Sequence, residues 1–165
     1  MADVDVVIED DRWLTPDLEG LASKAVQIAL ETAGISATGY EICVMGCSDA
    51  RIAELNAEFR EKPVPTNVLS WPVFDVGPDP DTGIPPAIPA PCGAENSLGD
   101  IAIAFETCER EALEKGIPVA DHVIHLVVHG CLHLLGYDHL DEMQADVMEG
   151  LEIKALASMG LDNPY

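Results

Sequence analysis

Basic residues are scarce in this sequence, and their scarcity limits what the protein can bind by charge alone. Eight lysines and arginines stand against 30 aspartates and glutamates among 165 residues, which gives a formal net charge of −22. Nonspecific binding to the phosphates of a nucleic acid requires basic surface. The composition therefore argues against tight binding to free nucleic acid. A nucleic-acid substrate would have to meet a local basic groove or be presented by another particle.

The sequence also lacks long apolar runs. None approaches the roughly 20 residues that span a bilayer, and the first residues, Met1 to Asp5, are acidic where a signal peptide is basic. We therefore expect a cytoplasmic protein with no membrane partner. A hydrophobic fraction of 48% with 23% charged residues is typical of a globular protein. At this length we expect one domain over residues 1–165.

The cysteines follow no pairing pattern. Cys43 and Cys47 are separated by three residues but have no partner pair downstream, so they make a poor zinc pair. The cysteines form an odd set scattered along the chain, and the compartment expected from the lack of a signal peptide is reducing. We expect all five to be inert thiols; they are Cys43, Cys47, Cys92, Cys108 and Cys131.

Strands and helices follow one another with little regular alternation, which predicts the α+β class. Short apolar runs predict four strands, at 4–8, 40–45, 68–71 and 101–104. Apolar residues at helical spacing, with capping and stop residues, predict five helices, near 15–34, 48–60, 106–115, 119–135 and 141–159.

Some details of these helices can be predicted as well. Thr15 followed by Pro16 predicts the start of the first helix, and Ser48 predicts the start of the second. The helix over 119–135 is apolar nearly all round, so we expect it to be central and buried. The last helix should present one apolar face, formed by Met143, Val147, Leu151 and Ala155.

The segment 72–97 is rich in proline, with seven of the chain's twelve prolines. Proline cannot donate a hydrogen bond to a sheet, so we expect a long mobile loop. Two interpretations remain open. The loop is either a tolerated surface insertion or a lid over a substrate.

Three of the five histidines lie in His129-Gly-Cys-Leu-His133-Leu-Leu-Gly136-Tyr-Asp-His139. Residues four apart project from one face of a helix, so His129 and His133 can direct their imidazoles at one point. Gly136 predicts the end of the helix, after which His139 can return from outside it. Three nitrogen ligands with one open position are typical of a catalytic zinc. We therefore predict one zinc ion per chain.

A different set of ligands, His125 with His129 and His133, has to be considered. In a straight helix its outer members are separated by about 12 Å along the axis. That distance is too long for comfortable tetrahedral convergence, so we favour His129, His133 and His139. Cys131 lies between the first two on the other side of the helix and should point away from the metal.

The histidine motif resembles the signature of the YbeY family of metal-dependent endoribonucleases. Two further stretches, Pro65-Thr-Asn-Val-Leu-Ser-Trp-Pro72 and Leu98-Gly-Asp-Ile101, are similar to that family and stand in the same order. The resemblance implies a small mixed sheet of about four strands packed with about five helices, the central one carrying the metal ligands. It also implies single-strand-specific cleavage of ribosomal RNA, notably at the 3′ end of the small-subunit RNA, a role in ribosome quality control, and association with ribosomal particles or proteins.

The candidate catalytic residues are Arg60, His129 and Asp138. The planar fork of an arginine grips phosphate well, and the resemblance implies that Arg60 lies near the metal cleft, in a basic cluster with Arg51 and Lys62. Asp138 could accept a proton or could hold a histidine in its metal-binding tautomer, and Asp100 could serve similarly if its strand runs under the metal.

Two functions other than a nuclease remain open. One is a non-catalytic ribosome assembly or binding factor with a structural zinc. The other is a metalloprotease, which the sequence disfavours because Gly130 stands where H-E-x-x-H proteases carry their glutamate base.

Overall fold

The structure is a computed structural model that describes residues 2–91 and 96–165. Within these residues, four strands form one sheet: β1 (Asp3–Ile8), β2 (Glu41–Cys47), β3 (Val68–Pro72) and β4 (Ser97–Ala104). The same residues contain five α-helices: α1 (Leu18–Thr32), α2 (Asp49–Arg60), α3 (Phe105–Lys115), α4 (Val119–Leu134) and α5 (Glu142–Ser158).

The sheet is mixed, as predicted. Its strand order is β1-β2-β4-β3. The pairs β1–β2 and β2–β4 are parallel, whereas β3 runs antiparallel to β4 and forms one edge. The prediction of an α+β fold with a four-stranded mixed sheet and five helices is therefore confirmed.

Helix α4 is the central helix of the molecule. It packs against α1, α3, α5 and the strands β3 and β4, and eleven of its residues are buried. The main core lies between these helices and one face of the sheet. A smaller core fills the space between α2 and the opposite face, where Ile52 and Leu55 meet Ala102 and Ala104. A helix enclosed on all sides gives a rigid support for the side chains at its end.

The predicted start of the first helix was wrong. Thr15 has helical backbone angles at the end of a short 3-10 helix, Asp11–Leu14, and α1 begins only at Leu18. Asp17 is the capping residue, and its side chain accepts a hydrogen bond from the N–H of Gly20. The 3-10 helix buries Trp13, whose indole N–H donates to the carbonyl of Cys47 at 2.9 Å. This long-range contact sets the approach to α1.

Strand β4 begins at Ser97, four residues before its predicted start, because Gly99 and Asp100 belong to the strand and do not merely precede it. Gly99 has a φ of +139°, and the pairing of β4 with β2 shifts register between Glu41 and Ile42, opposite this point. An L-residue rarely adopts such a φ. The position therefore requires glycine.

We expect Gly99→Ala to destabilise the fold by about 2–5 kcal/mol, through backbone strain and overpacking together. A Cβ at this position would collide with the carbonyl oxygen of Trp71 and lie 2.8 Å from Leu134. Urea unfolding measures the change. The control is Gly150→Ala, because a Cβ at Gly150 meets nothing within 4 Å and should change stability by about 1 kcal/mol at most. Equal stability of the two variants would contradict the expectation.

The proline-rich segment 72–97 is only partly a loop. Pro72 is the last residue of β3 and Ser97 the first of β4. Described residues between these strands contact the rest of the protein, since the Tyr40 hydroxyl donates to the carbonyl of Pro89 at 2.7 Å and Gly83 lies against α5. The mobility of this segment, and its interpretation as a lid or an insertion, stay predictions.

Among residues 2–91 and 96–165, the four cysteines Cys43, Cys47, Cys108 and Cys131 are unpaired thiols, and Cys92 lies outside the described residues. Burial raises the pKa of Cys131 to about 12, and it likewise raises that of Cys47 to about 12. Both thiols therefore stay protonated at neutral pH. Within the same residues, no single helix is long and apolar enough to cross a membrane; α3 and α4 meet these criteria only as a pair bent by 115°.

Candidate metal centre

The last two turns of α4 bring His129 and His133 together. Their Nε2 atoms are 3.0 Å apart, and their ring centroids are separated by 4.6 Å. This is the outcome that the spacing of four residues on one helix face predicts. Both side chains are partly buried, so each ring has one end in the protein and the other towards a cavity.

The end of α4 is a Schellman motif. The N–H of Tyr137 donates to the carbonyl of Leu132 at 3.1 Å, and the N–H of Gly136 donates to that of His133 at 3.0 Å. Gly136 supplies the positive φ that this motif requires, +102°. The turn also aims the carbonyl of Tyr137 at the ring of His133, whose Nδ1 lies 3.0 Å from it. The same turn therefore ends α4 and orients the ring of His133.

After this turn the chain returns His139 to the two helical histidines. The His139 ring centroid lies 5.4 Å from that of His129 and 5.1 Å from that of His133. One ligand atom from each of the three histidines lies within 4.8 Å of the others. The alternative ligand His125 is not part of this cluster, because its ring is 6.5 Å from that of His129 and its Nε2 contacts Glu152 at 3.1 Å.

The hydrogen bonds behind the histidines show that the cluster fits a cation. The Nδ1 of His129 lies 2.9 Å from a carboxylate oxygen of Glu152, and the Nδ1 of His133 faces the carbonyl of Tyr137. Both partners are acceptors, so each Nδ1 carries a proton and each Nε2 carries a lone pair. Two lone pairs at 3.0 Å repel each other unless a positive charge lies beside them. The donor set therefore fits a metal ion.

Burial, with the neighbouring charge of His129 next in importance, lowers the pKa of His133 to about 4. The neutral imidazole is the form that binds metals. At neutral pH His133 is therefore ready to act as a ligand without first losing a proton.

Glu152 was not identified from the sequence. It lies on α5, is completely buried, and accepts hydrogen bonds from His125, His129 and Tyr165. Burial alone would raise the pKa of Glu152, but these hydrogen bonds outweigh it and lower the pKa to about 2. A buried carboxylate at this position is therefore ionised.

Glu152 could have been identified from the sequence if the buried face of α5 had been predicted correctly. The buried residues of this helix are Met148, Glu152, Ala155 and Leu156. Of the predicted face only Ala155 is fully buried, since Met143, Val147 and Leu151 are partly buried and Leu151 packs at the margin of the main core. A glutamate placed four residues from both Met148 and Leu156 interrupts an apolar stripe, and such an interruption is the pattern that points to a buried charge.

A cavity of about 750 Å³ opens beside the histidine cluster. Arg60 lines it, and the Nη2 of Arg60 donates to the carbonyl of Ser70 on β3 at 2.9 Å. The turn that follows Arg60 is held by Asn56, whose side chain donates to the carbonyl of Val64 at 2.9 Å. The residues of the cavity that bear charge or imidazole are Arg60, Lys62, Asp75, Asp138, His129, His133 and His139.

Arg60 differs from the other arginines in its partners. Arg12, Arg51 and Arg110 each form an ion pair with a glutamate or aspartate. Among the residues that the structure describes, no carboxylate lies within ion-pair distance of Arg60. Its guanidinium is therefore available to an anion, whereas Arg51, from the same predicted basic cluster, is occupied by Glu9 and Glu54.

The two candidate aspartates lie in different places. Asp138 lines the cavity, and its side chain accepts a hydrogen bond from the N–H of His139 at 2.8 Å. No histidine ring donates to it in the described structure, so Glu152 and the Tyr137 carbonyl fill the orienting role considered for Asp138. Asp100 is exposed beside Trp71 and Cys43 in the sheet. It does not line the cavity, and the interpretation that it supports the metal was wrong.

Comparisons with known proteins identify relatives of this chain. A family model described as endoribonuclease YbeY matches residues 6–160. Two proteins named Endoribonuclease YbeY are similar along nearly their whole length. One, from Cereibacter sphaeroides, is 52% identical over 98% of each chain, and one from Ruegeria pomeroyi is 51% identical over 98% of this chain and 97% of its own.

A solved structure supports the fold. The solution structure of a Thermotoga maritima protein aligns with a TM-score of 0.55, covering 95% of this chain and 91% of that one at 21% identity. At that identity the likeness concerns the fold alone. The family model and the curated relatives cover the histidine motif and the rest of the fold together, and the chain belongs to the endoribonuclease YbeY family.

Proposed function

We propose that this protein is a metal-dependent endoribonuclease that cleaves single-stranded RNA in the cavity beside His129, His133 and His139. The observation that carries the proposal is the meeting, in one cavity, of a three-histidine cluster with an arginine that no described carboxylate neutralises. The relatives' shared name supports the same activity. A three-histidine cluster can hold a metal ion, and an arginine can bind the phosphates of an RNA backbone.

The histidines, the basic residues and Asp138 of the cavity each have a proposed role. His129, His133 and His139 would hold one zinc ion, which supplies a Lewis acid and a water of lowered pKa. Arg60 binds a non-bridging oxygen pair of the scissile phosphate, with Lys62 beside it as a second positive charge. Asp138 accepts the proton of the attacking water, because its carboxylate lines the same cavity next to His139.

We further propose that the substrate is ribosomal RNA, cleaved at the 3′ end of the small-subunit RNA during maturation and quality control. The net charge of −22 supports presentation by a ribosomal particle or protein, since a protein so acidic repels free polyanions. Within this scheme residues 1–165 act as one catalytic domain in the cytoplasm.

The two other functions are less well supported by the geometry. A structural zinc is usually closed by four protein ligands, whereas this cluster of three borders an open cavity. A metalloprotease of the H-E-x-x-H type needs a glutamate at position 130. Position 130 is a glycine that packs against β4, because a Cβ there would lie 3.3 Å from Ile101. It therefore offers no general base.

Removal of the metal tests the proposed function. Protein stripped by a chelator should not cleave a single-stranded RNA, and about one equivalent of zinc per chain should restore cleavage. The same RNA annealed to its complement should resist cleavage. Gel analysis of end-labelled RNA measures all three, and elemental analysis gives the zinc content. Undiminished cleavage by metal-free protein would contradict the proposal.

A further inference from the structure

Glu152 is a buried anion that has no lysine or arginine beside it among the described residues. It is 0% exposed, and its described ion-pair partners are the rings of His125 and His129, with no lysine or arginine. One carboxylate oxygen faces His129 Nδ1 at 2.9 Å and His125 Nε2 at 3.1 Å, while the other accepts from the Tyr165 hydroxyl at 2.6 Å. A carboxylate in such a place is costly unless a positive charge compensates it.

A metal ion on the far side of His129 would supply that positive charge. Its Nδ1 donates to Glu152, so its Nε2 points at His133 Nε2, 3.0 Å away, within the histidine cluster. A carboxylate hydrogen-bonded to a ligating imidazole fixes its tautomer and raises its basicity. The two helical ligands are therefore not equivalent, because the ring of His133 is oriented by a neutral carbonyl and that of His129 by a charge.

We propose that Glu152 is a positioning residue of the metal centre, which holds His129 with its proton on Nδ1 and strengthens metal binding through its negative charge. Tyr165 and His125 keep the carboxylate in place, so the segment after α5 contributes to the centre from behind. This role of Glu152 rests on the proposed metal site. It adds to the site a residue that supports a ligand from outside the histidine motif.

A second glutamate, Glu111, provides a control for this proposal. Glu111 accepts from His122 Nε2 at 2.9 Å, which makes a second carboxylate–histidine pair on α4, although through the other ring nitrogen. The remaining ring nitrogen of His122 is buried and has no hydrogen-bond partner in the described part of the chain, and His122 is not one of the three clustered histidines. Loss of charge at Glu111 should therefore affect the fold and leave metal affinity unchanged.

The test compares Glu152→Gln with Glu111→Gln and wild type, each purified as the full chain. Glutamine keeps the shape of the side chain and can still accept from His129, but it removes the charge. Zinc affinity is measured by competition with a chromophoric chelator, and urea unfolding of the metal-free proteins measures stability. We expect Glu152→Gln to bind zinc about 10–100-fold more weakly than wild type, and Glu111→Gln to bind it equally well.

The outcomes separate this inference from the proposed function. Equal zinc affinity of wild type and Glu152→Gln would overturn the positioning role and leave the metal site intact. A wild-type protein that binds no zinc would overturn both. A second measurement needs no variant: ¹⁵N NMR of metal-free wild type at pH 8 should show His129 protonated on Nδ1, and a predominant Nε2–H tautomer would overturn the inference.

Discussion

Replacing His129, His133 or His139 with alanine is expected to weaken zinc binding by more than about 100-fold, since even the loss of an outer partner costs 10–100-fold. Cleavage of RNA should fall with it, because two imidazoles hold zinc poorly. His139→Ala is the most informative of the three. His139 is exposed, so its removal leaves the core of the fold untouched. Elemental analysis and a cleavage assay on the same preparations measure both effects.

The matched control for the ligand variants is His122→Gln. His122 lies on the same helix, is buried, and hydrogen-bonds to a glutamate as His129 does. It is not one of the three clustered histidines, so its replacement should leave zinc content and cleavage near the wild-type values. Full zinc occupancy in His139→Ala would reject the proposed ligand set and return His125 to consideration.

Arg60→Glu should retain zinc and fold but cut RNA cleavage at least about tenfold, a loss of about 1.4 kcal/mol that corresponds to one charge-assisted contact. The reason is electrostatic. A net charge of −22 repels RNA over roughly a Debye length, about 8 Å at physiological salt, so binding needs a local cation in the cavity. Arg60 and Lys62 are its basic residues. Steady-state kinetics on a defined single-stranded RNA measure the change.

The control for Arg60 is Arg110→Glu, which introduces the same charge change on the exposed surface of α3. Arg110 lies 4.0 Å from Glu114 and does not line the cavity, so its replacement should change cleavage little. Equal activity of wild type and Arg60→Glu, at matched zinc content, would show that Arg60 does not grip phosphate. A partner would then have to position the RNA.

Local features of the site could be predicted from the sequence because short-range geometry determines them. Two histidines four residues apart share a helix face whatever the rest of the fold does, and Gly136 ends the helix through a left-handed turn. The placement of His139 follows from that turn. The grouping of these three residues in the structure agrees with the prediction, while their role as ligands stays a proposal.

Features that depend on distant parts of the chain could not be predicted. Glu152 contacts His129 across 23 positions of sequence, and Tyr165 contacts His125 across 40. Periodicity gave α5 an apolar face about one residue away from the buried one, because it counts apolar residues and passes over a buried charge. The predicted start of α1 was wrong for a similar reason. The contact between the buried Trp13 and the carbonyl of Cys47 determines the conformation of the chain before the helix.

The position of Asp100 in the sheet also could not be predicted, because it depends on the pairing of distant strands. Its neighbours in sequence resemble a family motif, and a role beside the metal was conditional on its strand running under the metal. The register places it opposite Trp71 and Cys43, away from the cavity. The requirement for Gly99 explains this motif structurally, because the backbone of β3 passes where a side chain would stand.

The most direct test of the proposed nuclease is cleavage of a precursor RNA that carries the 3′ end of the small-subunit ribosomal RNA, presented free and within its ribosomal particle. Wild type loaded with one zinc per chain should cut the single-stranded precursor segment, and His133→Ala purified in parallel should leave it intact. Sequencing of the new ends maps the cuts. Equal cleavage by wild type and His133→Ala, or none by zinc-loaded wild type on either substrate, would contradict a metal-dependent endoribonuclease at this centre.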